Sequence, residues 1–375
     1  MGAVVIVHGA IHLLGAAKGL GWAVVPPLGR PIGPVLGGGW LVAAVLTITA
    51  GALLLASAGW WWMVGAPAVL VSEAVILFDW SDAAFGTFAN VLIAAAVTYA
   101  YAAHGPYSFE REYQRRAGDA LRTSIGPSGA APGDEGLILT EVALEALPAP
   151  VARYIRQSGG VGKPQIGSFR ATIHGKIRSG PGKPWMRFTG EQVNTCGPVP
   201  DRFFKMDASM ARLPVDVLHV FAGEAATMRV KLCSLLPMVN ASGPEMARAE
   251  TVTLLNDMCV MAPPALATAS ITWTLLDDHR VRATFTRRGH KVNADLVFND
   301  QDQLVDFISD DRYAASPDGK TFRRQRWSTP LRGYRSFHGH TISASAQACW
   351  HTPEPEGQFA YLEFRVDEIT YQAAG

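Results

Sequence analysis

The chain has 375 residues, of which 49% are hydrophobic and only 17% charged, and its formal net charge is +1. That length accommodates two units, and so low a charge content is unusual for a protein solvated by water alone. The balanced charge excludes a nucleic-acid partner, which requires a basic excess or a clustered basic face.

The charges are unevenly placed. Residues 1–105 contain only Lys18, Arg30, Glu73, Asp79 and Asp82 as fixed charges, which predicts lipid around the first third and water around the rest. A membrane-crossing helix needs about 20 mostly apolar residues. Four segments are long enough: Val4 to Val25, Trp40 to Ala58, Trp60 to Phe78 and Ala83 to Ala103. The first lacks a basic leader and a small-x-small cleavage site, so it reads as a span and not as a signal peptide. Pro26 to Pro34 forms an irregular link, and Trp60, Trp61, Trp62 and Trp80 fall where interfacial aromatic belts are expected.

His8 and His12 are one helical turn apart and share a face of the first span, while Glu73 lies midway along the third. Ionisable groups at membrane depth face the bundle interior and mark proton or ligand sites, which makes His8, His12 and Glu73 a candidate intramembrane polar site. The competing reading is hydrogen bonding that glues helices together. No further metal ligand is evident, so no metal is expected there. Arg111, Arg115, Arg116 and Arg122 follow the fourth span, whereas the Asp79/Asp82 loop has no basic residue. The positive-inside rule then puts the tail, and the domain after it, in the cytoplasm of a bacterium with the spans in its inner membrane.

From Ser108 to Arg122 a charged helix leaves the membrane, and Gly126 to Gly136 is a Gly/Pro/Ser linker that marks the boundary. The expected organisation is a four-helix transmembrane unit at 1–105, the charged helix and linker at 106–136, and a soluble domain at 137–375. In the soluble domain, Val151 to Gln157 completes a short helix before Ser158-Gly159-Gly160. Alternating strands are then predicted at 169–178, 185–193, 201–208, 215–221 and 226–232. A further series runs through 270–275, 280–287, 290–298, 303–312, 321–331, 334–337, 341–350 and 358–371. Among these strands sits one helix, Pro244 to Met261, introduced by Ser242-Gly243-Pro244-Glu245, which has capping-box spacing. The predicted class is α+β: one large curved antiparallel sheet, a half-barrel, wrapped on a central helix.

Several pieces resemble a bacterial membrane-anchored family of unknown function. They are Leu147 to Gly159 (LPAPVARYIRQSG), Met228 to Leu232 with Ser242 to Met246, Trp273 to Asp278, and Asp311-Arg312-Tyr313. Ile11 to Gly21 and Trp80 to Val91 look like its four-span version. The resemblance implies a domain behind N-terminal spans and brings no activity or catalytic residues. The element order is also similar to lipoprotein-carrier half-barrels, an analogy at the level of fold.

Glu250 and Asp257, at i and i+7, lie on one side of the central helix about 10.5 Å apart along its axis, and are the candidate acid/base pair. His338-Gly339-His340 with His351 on a neighbouring strand is the candidate metal set, and a Gly hairpin turn is the preferred reading of it. Arg323-Arg324-Gln325-Arg326 reads as a basic sheet edge or a head-group contact. Cys196, Cys233, Cys259 and Cys349 lack metal spacing and read as free thiols. No hydrolase elbow, Walker loop, HExxH or dinucleotide fingerprint occurs, so no cofactor is expected. The function expected is binding of a lipid, acyl chain or isoprenoid between sheet and helix, at Met238, Met246, Leu254, Met258, Met261 and Trp273. The alternative is a membrane-associated enzyme that uses Glu250, Asp257 or the histidines on a lipid-like substrate.

Overall fold

Runs of Ala, Leu, Val and Gly with few turn residues make the first unit helical, and strict alternation makes the second a sheet. The computed structural model describes residues 1–26, 28–124, 137–316 and 318–374. The chain divides into the units Met1–Arg111 and Glu112–Gly375.

The first unit contains α1 (Gly2–Gly19), α2 (Pro34–Leu55), α3 (Trp62–Phe78), the single turn α4 (Trp80–Ala83) and α5 (Gly86–His104). Glycine lets α1 and α2 approach backbone to backbone: a Cβ on Gly19 would lie 2.5 Å from the Gly37 Cα, the small-residue packing typical of membrane helices. Among the described residues three helical stretches, Gly2–Gly19, Pro34–Leu55 and the one that starts at Gly86, are long and apolar enough to cross a membrane. Trp62–Phe78 is a shorter apolar helix. The third of the four expected spans is thus shorter than predicted, because Trp60 and Trp61 belong to the preceding turn.

Helix α6 (Phe109–Ser124) crosses the division between the units. The predicted Gly126 to Gly136 linker lies outside the described residues. In the second unit α7 (Ala149–Gln157) precedes six hairpin-linked strands: β1 (Ile166–Ile177), β2 (Met186–Thr195), β3 (Arg202–Met210), β4 (Leu213–Ala222), β5 (Ala225–Leu232) and β6 (Leu236–Ser242). Helix α8 (Pro244–Met261) follows, and then β7 (Ile271–Asp277), β8 (Arg280–Arg287), β9 (His290–Phe298), β10 (Leu304–Ser309), β11 (Tyr313–Ala315) and β12 (Phe322–Arg324). The last strands are β13 (Trp327–Ser328), β14 (Leu331–Phe337), β15 (His340–His351) and β16 (Gln358–Ala373).

Fourteen of these strands form one curved antiparallel sheet in the order β6-β5-β4-β3-β2-β1-β16-β15-β13-β10-β9-β8-β7, with β14 paired to β15, while β11 and β12 pair separately. The half-barrel predicted from the alternation is therefore present. Its free edges are β6 and β7, and α8 is the segment that joins them. In crossing, α8 touches strands from both halves of the sheet: β5 and β6 on one side, β8, β9 and β10 on the other. Only Pro244, Glu245 and Arg248 of α8 are not buried. Each of Leu254, Leu255, Met258 and Met261 therefore contributes roughly 1.5–3 kcal/mol of apolar burial.

Two local expectations change and one holds. Ser242 is the last residue of β6, paired with Thr227, so no capping box forms. Gly243, at φ 109°, is the N-cap, and no side chain caps the helix; a backbone turn that only glycine makes readily replaces the side-chain cap. His338 and Gly339 are the two positive-φ residues of the β14–β15 hairpin, as the Gly-turn reading requires. His351 sits at the far end of β15, the strand that His340 begins, and not on a neighbouring strand.

Candidate functional site

Charged residues accumulate where α8 meets the concave face of the sheet. Antiparallel register places Asn194 of β2 opposite Arg202 of β3, and Gln192 opposite Phe204, which in turn faces His219 of β4. Side chains two apart on a strand share a face, so Gln192, Asn194, Arg202, Phe204 and His219 form one patch. The acids of α8 descend onto it. Asp257 Oδ2 accepts hydrogen bonds from Gln192 Nε2 (2.7 Å), Asn194 Nδ2 (3.2 Å) and Arg202 Nε (2.7 Å). Arg202 also donates through Nη1 to Glu250 Oε2 at 3.1 Å. Arg312 Nη1 lies 3.6 Å and His219 Nδ1 3.9 Å from Glu250 Oε1.

One guanidinium thus bridges the two carboxylates that helical spacing alone sets too far apart to couple. Burial pushes the Glu250 pKa up, but Arg202, His219 and Arg312 together outweigh it and hold the carboxyl below its ordinary value. At His219, by contrast, burial prevails and the pKa falls to about 4. At Asp257 burial prevails over the pull of Arg202 and raises the carboxyl above its ordinary value. Two carboxyl groups thus face two guanidiniums, with an uncharged imidazole beside them. Sequence reasoning passed over Arg202 and His219. The available signal was alternation, since Arg202 shares a face with Phe204 and Lys205 does not.

A second clamp acts nearer the start of α8. Asp311 Oδ1 accepts from Arg248 Nη2 and Arg324 Nη2, both at 2.7 Å, and Oδ2 accepts from the Asn293 amide at 2.8 Å. Asp311 and its neighbour Arg312 therefore both hold α8, which gives the Asp311-Arg312-Tyr313 motif a physical reading. At the other end, Tyr154 and Tyr371 hydroxyls donate to the Cys259 and Met261 carbonyls at 2.8 and 2.7 Å, satisfying acceptors that a helix C-terminus leaves open.

Of the predicted ligand-contacting residues, Met246, Leu254, Met258 and Met261 lie in the core between α8 and the sheet. Trp273 packs against that core from β7, and Met238 is exposed on β6. Arg324 and Arg326 are ion-paired with Asp311 and Asp310, so little of the predicted basic edge is free. His351 shares a 2.8 Å hydrogen bond with Ser328, and buried His340 packs on Tyr371 with ring centroids 4.7 Å apart. No group of three His, Cys, Asp or Glu that could hold a metal occurs among the described residues. Cys196, Cys259 and Cys349 are buried and Cys233 half-buried, all as free thiols.

In the first unit His8, His12 and Glu73 belong to a single hydrogen-bonded chain. His8 Nε2 lies 3.0 Å from Asn90 Oδ1, and His12 Nε2 lies 2.6 Å from Ser72 Oγ. Ser72 donates to Asn90 Oδ1 at 3.0 Å, and Asn90 Nδ2 and Thr87 Oγ1 each donate to Glu73 at 2.8 Å.

An N-terminal unit of apolar helices followed by an α+β half-barrel with an ion-paired plug helix defines the class. Residues 137–364 match the profile of a family of unknown function (DUF6544), and the chain belongs to that family. No curated protein matches it in sequence. Among solved structures it is similar to a DUF1329 family protein from Desulfovibrio piger, with 13% identity over 60% of this chain and 92% of that one and a TM-score of 0.35. A LolA superfamily protein from Nitrosomonas europaea shares 10% identity over 59% of this chain and 93% of its own, with a TM-score of 0.33. A domain described as an outer membrane lipoprotein-sorting protein, from Vibrio parahaemolyticus, shares 10% over 55% and 86%, also with a TM-score of 0.33. Similarities this low assign neither a ligand nor an activity to this chain.

Proposed function

We propose that the chain is a membrane-anchored protein with four spans in a bacterial inner membrane, whose cytoplasmic half-barrel binds a hydrophobic ligand, namely a lipid, acyl chain or isoprenoid. The observation that carries this reading is the character of the two sheet edges. Soluble proteins blunt free edges with charge. Here Leu236 and Met238 on β6, and Leu275 and Leu276 on β7, are 40–59% exposed. Both edges are joined by α8, so a displacement of that helix opens an apolar trough between two apolar rims. The thioethers of Met246, Met258 and Met261 suit an interior that repacks around different chains, with Met238 and Trp273 at the rim and Leu254 beneath.

Lipid extraction and native mass spectrometry of the detergent-solubilised full chain test the proposal. A co-purifying hydrophobic molecule is expected, lost from a Leu236→Asp/Leu275→Asp variant whose circular dichroism is unchanged. Repeated recovery of ligand-free wild-type protein would overturn it. The geometry supports the enzymatic alternative less well, because the Glu250 and Asp257 oxygens that would accept a substrate proton already accept from Arg202, Gln192 and Asn194.

A further inference from the structure

The helical unit encloses a cavity of about 390 Å³, within the size range of small-molecule sites. Val7, Ile11 and Phe85 form its outer wall and are themselves exposed, so on the membrane reading the cavity opens sideways into lipid. His12 and Trp40 line its inner side and are only 2% and 5% exposed. Their rings meet edge-on with centroids 5.2 Å apart. His12 Nδ1 and Trp40 Nε1 have no hydrogen-bond partner among the described residues. Buried polar atoms are nearly always satisfied, so unmatched nitrogens on two touching rings that line one apolar cavity point to a ligand that supplies both partners.

The direction of the hydrogen bonds identifies the missing group. Glu73 accepts from Asn90 and Thr87. Asn90 Oδ1 in turn accepts the one proton of Ser72, so Ser72 Oγ is an acceptor toward His12, and His12 Nε2 carries the proton in their 2.6 Å bond. The other nitrogen of a neutral imidazole is then a bare acceptor, whereas an indole N–H is a donor only. A hydroxyl answers both, donating to His12 Nδ1 and accepting from Trp40 Nε1. A carbonyl or ether answers only the indole, and an ammonium only the imidazole. The Asp82 carboxylate, which also lines the cavity, disfavours an anionic head group.

We infer that this cavity binds the hydroxyl of an uncharged hydrophobic alcohol or phenol that enters from the lipid. The site is separate from any ligand of the half-barrel. Titration of the full chain in lipid nanodiscs with a decyl hydroquinol, with farnesol and with the methyl ether of each tests it. Methylation removes the hydrogen donated to His12. At least one hydroxyl probe should bind, and its ether roughly 3- to 10-fold more weakly, the range for one hydrogen bond between neutral groups. Binding of the hydroquinol alone assigns a phenolic ligand, and of farnesol alone an isoprenoid alcohol. His12→Phe should abolish the preference for hydroxyl over ether. Trp40→Phe, which keeps an aromatic ring in place, should weaken both probes by a similar factor. Equal affinity of hydroxyl and ether for the wild-type chain, or binding of neither hydroxyl probe, would overturn the proposal.

Discussion

The two units bury polar side chains by different means. In the helical unit the half-buried Glu73 carboxylate is reached through neutral groups, and the donors from Ser72 and Asn90 point toward it. In the half-barrel two carboxylates, Glu250 and Asp257, are met directly by guanidiniums. A sheet sets donors at fixed positions on adjacent strands, so Asn194 and Arg202 arrive opposite one another, and a full ion pair can be satisfied on all sides. Helices that pack in lipid use His, Ser, Asn and Thr because charge at that depth is costly and because neutral partners are exchangeable. Rigid charge pairing therefore makes the half-barrel the more brittle of the two when one partner is removed.

The largest effect should come from Arg202. Removing one member of a buried ion pair strands the other, which costs about 3–5 kcal/mol, whereas replacing the whole set with apolar groups of similar volume is often neutral. Arg202→Ala should therefore lower the denaturation free energy of the full chain in detergent by about that amount. Arg202→Met with Asp257→Asn, which removes one charge of each sign and leaves Glu250 paired with Arg312, should recover most of it. A loss below about 1 kcal/mol for Arg202→Ala would mean that water or Arg312 replaces the guanidinium, and the contrast between the units would fail.

Much of this architecture was legible in the sequence, and the site was less so. Alternation located β1, β8 and β9 to within a few residues, since along much of each strand one face is buried and the other is not. Patterning failed where turns are made by backbone alone. Ser242 looked like a cap because its spacing to Glu245 was right, yet Gly243 at φ 109° makes the turn without it. The predicted strand at 321–331 breaks into β12, β13 and the start of β14. Within it, Arg324 and Arg326 turn to Asp311 and Asp310 and leave the main ladder. Glu250 and Asp257 could be named as a pair on a helix. Arg202, which joins them, comes from a strand that the register alone brings beneath α8, and register cannot be read from composition.

A smaller effect is expected from pH in the half-barrel. His219 is held near pKa 4 by burial, and the positive charges of Arg202 and Arg312 add to this against the opposing pull of Glu250. In the unfolded chain the same imidazole titrates near 6.5. Between pH 6.5 and 4 the unfolded state therefore binds a proton that the folded state does not, so the stability contributed by the neutral ring is complete above that window and falls as the pH drops through it. The loss amounts to roughly 3 kcal/mol for a shift of this size. Buried His340, also near 4, acts with the same sign. His219→Gln should thus flatten part of the slope of denaturation free energy against pH, leaving the share due to His340. An unchanged slope in the variant would show that Glu250 keeps His219 protonated, and the cluster would then carry an excess positive charge.

The smallest effect should come from the helical unit. Ser72→Ala removes the hydroxyl that accepts from His12 and donates to Asn90, two bonds in the middle of the chain that leads to Glu73. In water-filled or rigid surroundings that would strand two buried groups. Between membrane helices the unfolded state keeps polar partners too, and single hydrogen bonds average about 0.6 kcal/mol with a ceiling near 1.7. Unfolding of the full chain by SDS in mixed micelles should therefore show a loss within that range, several times smaller than for Arg202→Ala. A loss of about 3 kcal/mol or more would mean that the Ser72 hydroxyl fixes His12 and Asn90 as firmly as Arg202 fixes the two acids of α8. The polar chain between the helices would then be a rigid, preorganised site like the one under α8, and not an exchangeable one.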